Sequence, residues 1–305
     1  MKRVAVLTGG VGGAKLVLGL QHMAQPVEIS AIVNTADDFR HLGLHVSPDI
    51  DTLLYTLSGK ANRAQGWGRE GESWAFLAAL RELGGEDWFA LGDSDLALHV
   101  LRSARLGSGE ALSTITGDFA AKWRITAKVL PMTDDRVATW LDTDVGPLEF
   151  QRYFVEQRCA PKVSRIEFRG ADSARAAPGV VEAILGADVV LIAPSNPYLS
   201  VDPILVVPGI GKALRASAAR VIAVSPLVGG KAVKGPTAKL MGELGIAVDN
   251  DAIAAHYARL IDGLLVDNGD PVTPGKIAIG RTDTLMTTIE DRVRVAEAAL
   301  ALASE

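Results

Sequence analysis

The stretch GGVGGAKL, residues 9–16, sets four glycines and a lysine after an apolar run and ahead of a helix-forming segment. Glycine lets backbone approach a ligand closely, and the first turn of a helix offers unpaired N–H groups and a positive dipole end. Gly9, Gly10, Val11, Gly12, Gly13 and Lys15 are therefore a candidate cradle for a phosphate or diphosphate. The plainer alternative is a tight turn whose glycines serve positive φ and helix packing; the number of glycines favours the anion. Two familiar phosphate signatures fail. Counted from Gly10, the sixth place of a dinucleotide fingerprint is Lys15, and the next strand ends in Asn34 where an acid would hold a ribose. No segment reads G-x-x-x-x-G-K-[ST].

A second cluster is acidic. In VNTADDFRHLGLHVSPDIDTLLYTLSG, residues 33–59, Ser47 and Pro48 suit a helix start, and Ile50, Leu53, Leu54 and Leu57 take the spacing of one buried face. Asp49 and Asp51 flank that face in the first turn and are the candidate catalytic acids. Residues two apart do not face each other on a helix, so one ion held by both needs one of them off the helix; Asp49 is the stronger candidate. Acids also favour a helix N-terminus by about 0.3–1 kcal/mol without any ligand. With Asp37 and Asp38 expected in the same crevice, Asp49, Asp37 and Asp38 become candidate ligands for a Mg²⁺ bridging carboxylate and phosphate oxygens.

The elements that must position these groups are legible as apolar runs. RVAVLT (3–8), EISAIVNT (28–35), DVVLIAPS (188–195) and RVIAVSPL (220–227) have the β-branched character of strands covered on both faces. Each runs into a polar or glycine-rich loop, and in an open α/β sheet such loops converge on one crevice beyond the strand ends. Helical patterns fill 14–24, 48–58, 71–84, 95–106, 109–122, 179–186, 209–218, 235–245, 250–260 and 288–303. RVATWLDT and LEFQRYFVEQ flank the turn DVGP as a hairpin. The expected fold is α/β: a doubly wound, mainly parallel Rossmann-like sheet from about 1–60 and 160–280, a helix-rich insertion with a small β element at about 61–159, and a C-terminal helix at about 288–303.

Bulk composition narrows the classes. The 305 residues, 48% hydrophobic and 22% charged, suit one large core. A net charge of −5 argues against nucleic acid as a partner, and no apolar run approaches the roughly 18 residues of a membrane span. Cys159 is the single cysteine, which excludes an internal disulfide and a cysteine zinc site and suits the cytoplasm.

Taken together, GGVGGAKL, VNTADDF (33–39), HLGLHVSPDIDTLLYTLSG (41–59), GWGREGESW (66–74), DWFALGDSDLALHVLR (87–102), PMTDDRVATWL (131–141), FQRYFV (150–155), PSNPYLSVDPILVVPGI (194–210) and VSPLVGGKAVKGP (224–236) resemble the 2-phospho-L-lactate transferases of coenzyme F420 biosynthesis, phosphoenolpyruvate-using members included. The resemblance implies a Mg²⁺-dependent enzyme that moves a phospho-acid from a guanosine diphosphate conjugate to the ribityl hydroxyl of the deazaflavin Fo, with release of GMP. It implies that the glycine loop and Lys15 hold the diphosphate. Pro194, Ser195 and Asn196, with Ser225, Gly229, Gly230, Lys231 and Lys234, would take the guanosine part. Asp49, Trp67, Arg69 and Trp74 would face Fo. Phosphoryl-type transfer rests on positioning and charge neutralisation, which agrees with these residue types.

One departure stands out. The family reads Gly-Asp-Arg-Asp where this chain has GDSD, so Ser94 occupies a substrate-side position expected to hold Arg. A lost guanidinium contact costs about 1.5–3 kcal/mol, which opens the identity of the acid: phospholactate, phosphoenolpyruvate or phosphoglycerate. A rival reading is a nucleotide-sugar-binding regulator of the gluconeogenesis-factor type, which shares the glycine loop; SPDIDT and GWGREGESW favour the transferase. His22, His41, His45, His99 and His256 read as packing or surface residues, Trp88 and Phe89 as core of the insertion, and Arg152 and Arg158 as salt-bridging residues. The alanine-rich helix 288–303 suits docking on the sheet or on a second subunit, and a homodimer is expected.

Overall fold

The computed structural model describes residues 1–62, 64–233 and 235–304. The chain opens with β1 (Lys2–Thr8), α1 (Gly10–Gln21), β2 (Val27–Val33), the short hairpin β3 (Phe39–His41) and β4 (Leu44–Val46), and α2 (Pro48–Leu57). There follow α3 (Ala75–Glu82), α4 (Asp93–Gly107), α5 (Leu112–Lys122), β5 (Lys128–Pro131), β6 (Ala138–Thr143), β7 (Gly146–Glu149) and β8 (Val163–Arg169). The second half holds α6 (Val180–Leu185), β9 (Val189–Ile192), α7 (Asp202–Val206), α8 (Ile210–Ala216), β10 (Arg220–Val224), β11 (Leu227–Val228) and β12 (Lys231–Ala232). It closes with α9 (Thr237–Glu243), α10 (Asn250–Tyr257), β13 (Gly263–Asp267), β14 (Ala278–Thr282) and α11 (Ile289–Leu302).

Seven parallel strands form the central sheet in the order β14-β13-β10-β9-β1-β2-β5. The chain runs outward from β1 through β2 to β5, then returns to β9 beside β1 and builds in the other direction. The strand order therefore reverses at the β1/β9 seam, where an open α/β sheet parts its loops into a crevice. Side chains of β1 alternate between the two faces. Val4 and Val6 join the core under α1, α2, α5 and α11, while Ala5 and Leu7 join the core under α6 to α10.

The doubly wound plan is as expected, and all four anticipated strands lie in the central sheet. Three more were not anticipated. β5 and β13 are short apolar runs, and β14 is a half-buried edge strand with a polar residue at Arg281. Because β5 falls within 61–159 and pairs with β2, that segment is an excursion that rejoins the sheet rather than a separate insert. The hairpin at DVGP forms, but FQRYFV leaves it: Arg152–Glu156 makes a π-helical turn. Phe150, Tyr153 and Phe154 recur at helical spacing, with Phe150 and Tyr153 buried against Leu141 and Val163, and Phe154 stacked on Phe150 at 5.3 Å. β8 supplies the missing antiparallel partner of β6.

α11 starts with a capping box between Thr288 and Asp291 and buries Val295, Ala296, Ala299 and Leu300 on α1 and the sheet. Its apolar face is thus used within the chain. No helix among the described residues is long and apolar enough to cross a membrane.

Candidate active site

A cleft of about 680 Å³ opens over the carboxyl ends of β1 and β9. One wall is backbone and acid: Gly9, Gly10, Val11, Gly12 and Lys15 beside Asp37, Asp49 and Asp51. The cleft also has an aromatic wall of Trp67, Trp88, Phe89, Phe150 and Phe154. Pro194, Ser195, Asn196 and Ser225 complete the floor.

The glycines are explained by close packing. A Cβ on Gly9 would stand 2.5 Å from Asp49 Oδ2 and 2.8 Å from Ser200 Cβ; one on Gly12 would stand 2.6 Å from the Pro194 carbonyl oxygen. At Gly13 it would collide with the Thr8 side chain, while Gly10 has φ +63° and open space around it. Each glycine therefore has a steric or conformational reason of its own, so their number no longer favours an anion. α1 begins at Gly10, not at 14, so the glycine stretch is the first helical turn and its leading N–H groups lack intrahelical partners.

Asp49 occupies that helix end. Its Oδ1 accepts from the Gly10 N–H at 2.7 Å, and its Oδ2 accepts from Asn34 Nδ2 at 3.0 Å. The other side of Asn34 is fixed as well, its Oδ1 accepting from the Ala36 N–H at 2.9 Å. The residue read as a missing ribose acid is thus the holder of Asp49. The seam itself is stitched by Ser195, whose hydroxyl accepts from the Gly9 N–H at 3.2 Å and donates to the Gly9 carbonyl at 2.7 Å. Asn196 Oδ1 accepts from the Tyr198 and Leu199 N–H groups at 3.0 and 3.2 Å. Its buried Nδ2 has no hydrogen-bond partner. Lys15 Nζ donates to the Met286 carbonyl at 2.6 Å and ties α1 to the loop before α11.

The acids divide into two sets. Burial pushes the Asp49 carboxyl up to about 6 against the pull of the Asn34 and Gly10 bonds. Asp37 lies well above its ordinary value, from burial first and then from repulsion by Asp49. These two carboxylates share one pool of negative charge at the cleft. Asp51 instead faces a fully buried cation, Arg102, through two hydrogen bonds. Burial would lower the Arg102 guanidinium, but Asp51 holds it above its ordinary value. Asp51 is therefore a structural partner first, although it touches the cleft.

Several expected site residues stand elsewhere. Asp38 is outside the cleft wall: its Oδ2 accepts from His45 at 3.0 Å and from the Ser47 hydroxyl at 2.7 Å, holding the β3–β4 hairpin to the start of α2. Gly13 is sealed behind the wall. Arg69 donates to the Ser94 carbonyl at 3.5 Å, and the Ser94 N–H donates to Glu72, so neither reaches the cleft. Trp74 precedes α3 and lies outside the wall. Gly229 and Gly230, with φ +62° and +68°, turn the β11–β12 hairpin, and Lys231 follows them; these three stand off the cleft, while Pro226, Val228, Val233 and Gly235 on either side reach it. Lys234 lies outside the described residues.

Trp88 and Phe89, read as core, instead form the aromatic wall. Phe39 packs edge-on to Phe89 at 4.8 Å, His41 on Trp88 at 5.1 Å, and the Arg152 guanidinium covers Trp88 at 4.3 Å. Arg152 also pairs with Glu86 and Glu156, as a salt-bridging residue should. Tyr55, Asp95 and His99 were missed too. Nothing in the sequence places α4 against α2; the packing does.

A magnesium site needs carboxylate and other oxygen donors. Asp37 and Asp49 fit one, as buried carboxylates whose mutual repulsion a cation would relieve. Among the described residues no three His, Cys, Asp or Glu side chains form a metal-binding group. A bound cation would therefore take its remaining ligands from phosphate oxygens and water, which is the habit of Mg²⁺.

A family model for 2-phospho-L-lactate transferase CofD matches residues 4–300. A phosphoenolpyruvate transferase of Kitasatospora aureofaciens is 42% identical over 99% of this chain and 98% of its own length. The phosphoenolpyruvate transferase of Mycolicibacterium smegmatis is 37% identical over 99% and 98%. A solved UPF0052-family protein from Bacillus halodurans shares the fold at TM-score 0.67 and 22% identity, covering 98% of this chain and all of that one. The full-length match and the full-length relatives agree: the chain is a transferase and belongs to the CofD family of 2-phospho-L-lactate transferases.

Proposed function

We propose that the chain transfers a phospho-acid from a guanosine diphosphate conjugate to the ribityl hydroxyl of the deazaflavin Fo, releasing GMP and leaving a phosphodiester. The observation that carries this is a single cleft with two kinds of lining. Backbone N–H groups, the partnerless Asn196 Nδ2 and the Asp37–Asp49 pair share it with a run of aromatic rings. A flat tricycle suits the rings, and a diphosphate suits the helix end.

Within this reading Asp49 and Asp37 would hold Mg²⁺, which supplies charge neutralisation at the diphosphate when bound. The chain's own residues do the rest. The first turn of α1 and Asn196 hold the phosphate oxygens, and Ser195 keeps the β1 and β9 loops in register. The aromatic wall orients the ring and excludes water. The attacking hydroxyl loses its proton as its oxygen bonds to phosphorus, and the bond from phosphorus to the GMP oxygen breaks. Asp49 lines the cleft, and the oxygen it does not give to the cation is the one we assign to receive that proton.

The acid transferred is one of phospholactate, phosphoenolpyruvate and phosphoglycerate; the names of the relatives favour phosphoenolpyruvate. A homodimer in the cytoplasm fits the same reading, and since α11 is used internally, the exposed Val100 and Leu101 of α4 are the face we assign to it. The test is mass spectrometry of reactions holding Fo, Mg²⁺ and each donor in turn. A gain on Fo equal to one phospho-acid identifies the substrate, and the gain disappears when the metal is chelated. No gain with any donor removes the proposal.

A further inference from the structure

We propose that Asp95, His99 and Tyr55 form the subsite for the hydroxylated chain of the acceptor, with Asp95 as the residue that selects for it. The inference rests on the transferase reading above and assigns the acceptor's orientation within it. Asp95 lies in the first turn of α4, His99 one turn later, and Tyr55 reaches across from α2; all three line the cleft. The Tyr55 hydroxyl donates to Asp95 Oδ1, and His99 Nε2 stands 3.2 Å from the same oxygen. Asp95 Oδ2 has no hydrogen bond among the described residues.

On the far side of the imidazole, Arg102 Nη1 stands 3.5 Å from His99 Nδ1. A guanidinium can only donate, so Nδ1 accepts and the ring proton sits on Nε2. That N–H is buried, off the line a hydrogen bond to Asp95 needs, and has no partner. The wall thus sets an open carboxylate oxygen beside an unpaired donor.

A hydroxyl can donate to the open oxygen of Asp95, which the buried His99 ring backs from behind. A phosphate or carboxylate cannot, because Asp95 would repel it. Burial alone would raise the Asp95 carboxyl, but the neighbouring His99 ring and the Tyr55 hydroxyl outweigh burial and keep it below its ordinary value, hence charged. The subsite therefore takes neutral hydroxyl groups and leaves the anionic partner to the α1 end. An acceptor whose ring lies on Trp88 and Phe89 would lay its polyol chain toward this corner.

The test titrates Fo into the unchanged chain, Asp95→Asn and Tyr55→Phe, following deazaflavin fluorescence, beside a deazaflavin bearing a plain alkyl chain. Asp95→Asn keeps the shape and removes the charge, so Fo binding weakens roughly tenfold to a hundredfold while the alkyl compound is unaffected. Steady-state assays then show KM for Fo rising and KM for the donor unchanged. Tyr55→Phe, which leaves the carboxylate in place, weakens Fo selectively and stands in should Asp95→Asn fail to fold. Equal weakening of both compounds, a rise confined to the donor KM, or no change overturns the inference. Failure of the unchanged chain to bind either deazaflavin is a separate result that removes the acceptor reading itself.

Discussion

Asp49→Asn gives a signed prediction about stability. In an unfolded chain an aspartate titrates near 3.9, whereas burial carries the folded Asp49 to about 6. Between those values the folded state binds the extra proton, so stability falls as pH rises from about 4 to about 6 and levels off above. At one pKa unit per 1.36 kcal/mol, the full penalty is about 3 kcal/mol, of which about 1.4 kcal/mol accrues between pH 5 and pH 8. Asparagine carries no such penalty. It does set its own amide against Asn34 Nδ2 and loses a charge-assisted bond, which costs about 1–3 kcal/mol at either pH. The sign of the change at one pH is thus mixed, but the difference between two pH values is clean. Urea unfolding of the ligand-free protein at pH 5 and pH 8 should show the variant gaining at least about 1.4 kcal/mol on the natural chain. Release of Asp37 from its neighbour adds in the same direction. A variant-minus-natural difference that is flat with pH, or that shrinks as pH rises, refutes the reasoning.

Arg102→Met strands the Asp51 carboxylate in the interior and should cost about 3–5 kcal/mol in urea unfolding, most of it regained when Asp51→Leu is added. Gly9→Ala drives a methyl into Asp49 Oδ2 and Ser200, lowering stability by about 1–3 kcal/mol and abolishing transfer. In contrast Gly117→Ala, in open space on α5, should stabilise by about 0.5–1 kcal/mol with activity unchanged; thermal melts and the transfer assay read both. Asn196→Asp preserves the acceptor for the Tyr198 and Leu199 N–H groups but replaces the partnerless amide with negative charge. The donor KM should rise roughly tenfold or more with little change in unfolding.

The sheet was legible where strands are buried on both faces, because β1, β2, β9 and β10 are then nearly continuous in Val, Ile and Ala. β14 escaped since an edge strand that carries Arg281 has no such signature, and β5 because four residues are too few to show a period. The glycine stretch and Asp49 were found from local chemistry, as helix ends advertise themselves. Asn34 was misread: its role depends on Asp49, fifteen residues on, and Leu199, 165 residues on. The aromatic wall and the Tyr55–Asp95–His99 corner are products of tertiary packing, and single residues such as Trp88 look the same in a core and in a cleft.

The contact of Lys15 with the Met286 carbonyl, and of Gly19 with the Arg292 backbone, ties α1 to α11 and to the loop that precedes it. Thr284, Leu285 and Met286 also border the cleft. During synthesis the glycine turn emerges 271 residues ahead of Met286 and must wait, solvent-exposed along one flank, for that loop to arrive. Catalytic competence is consequently a late event in biogenesis, and a ribosome stalled ahead of residue 284 would display a nascent product with most of its sheet present and no closed binding chamber.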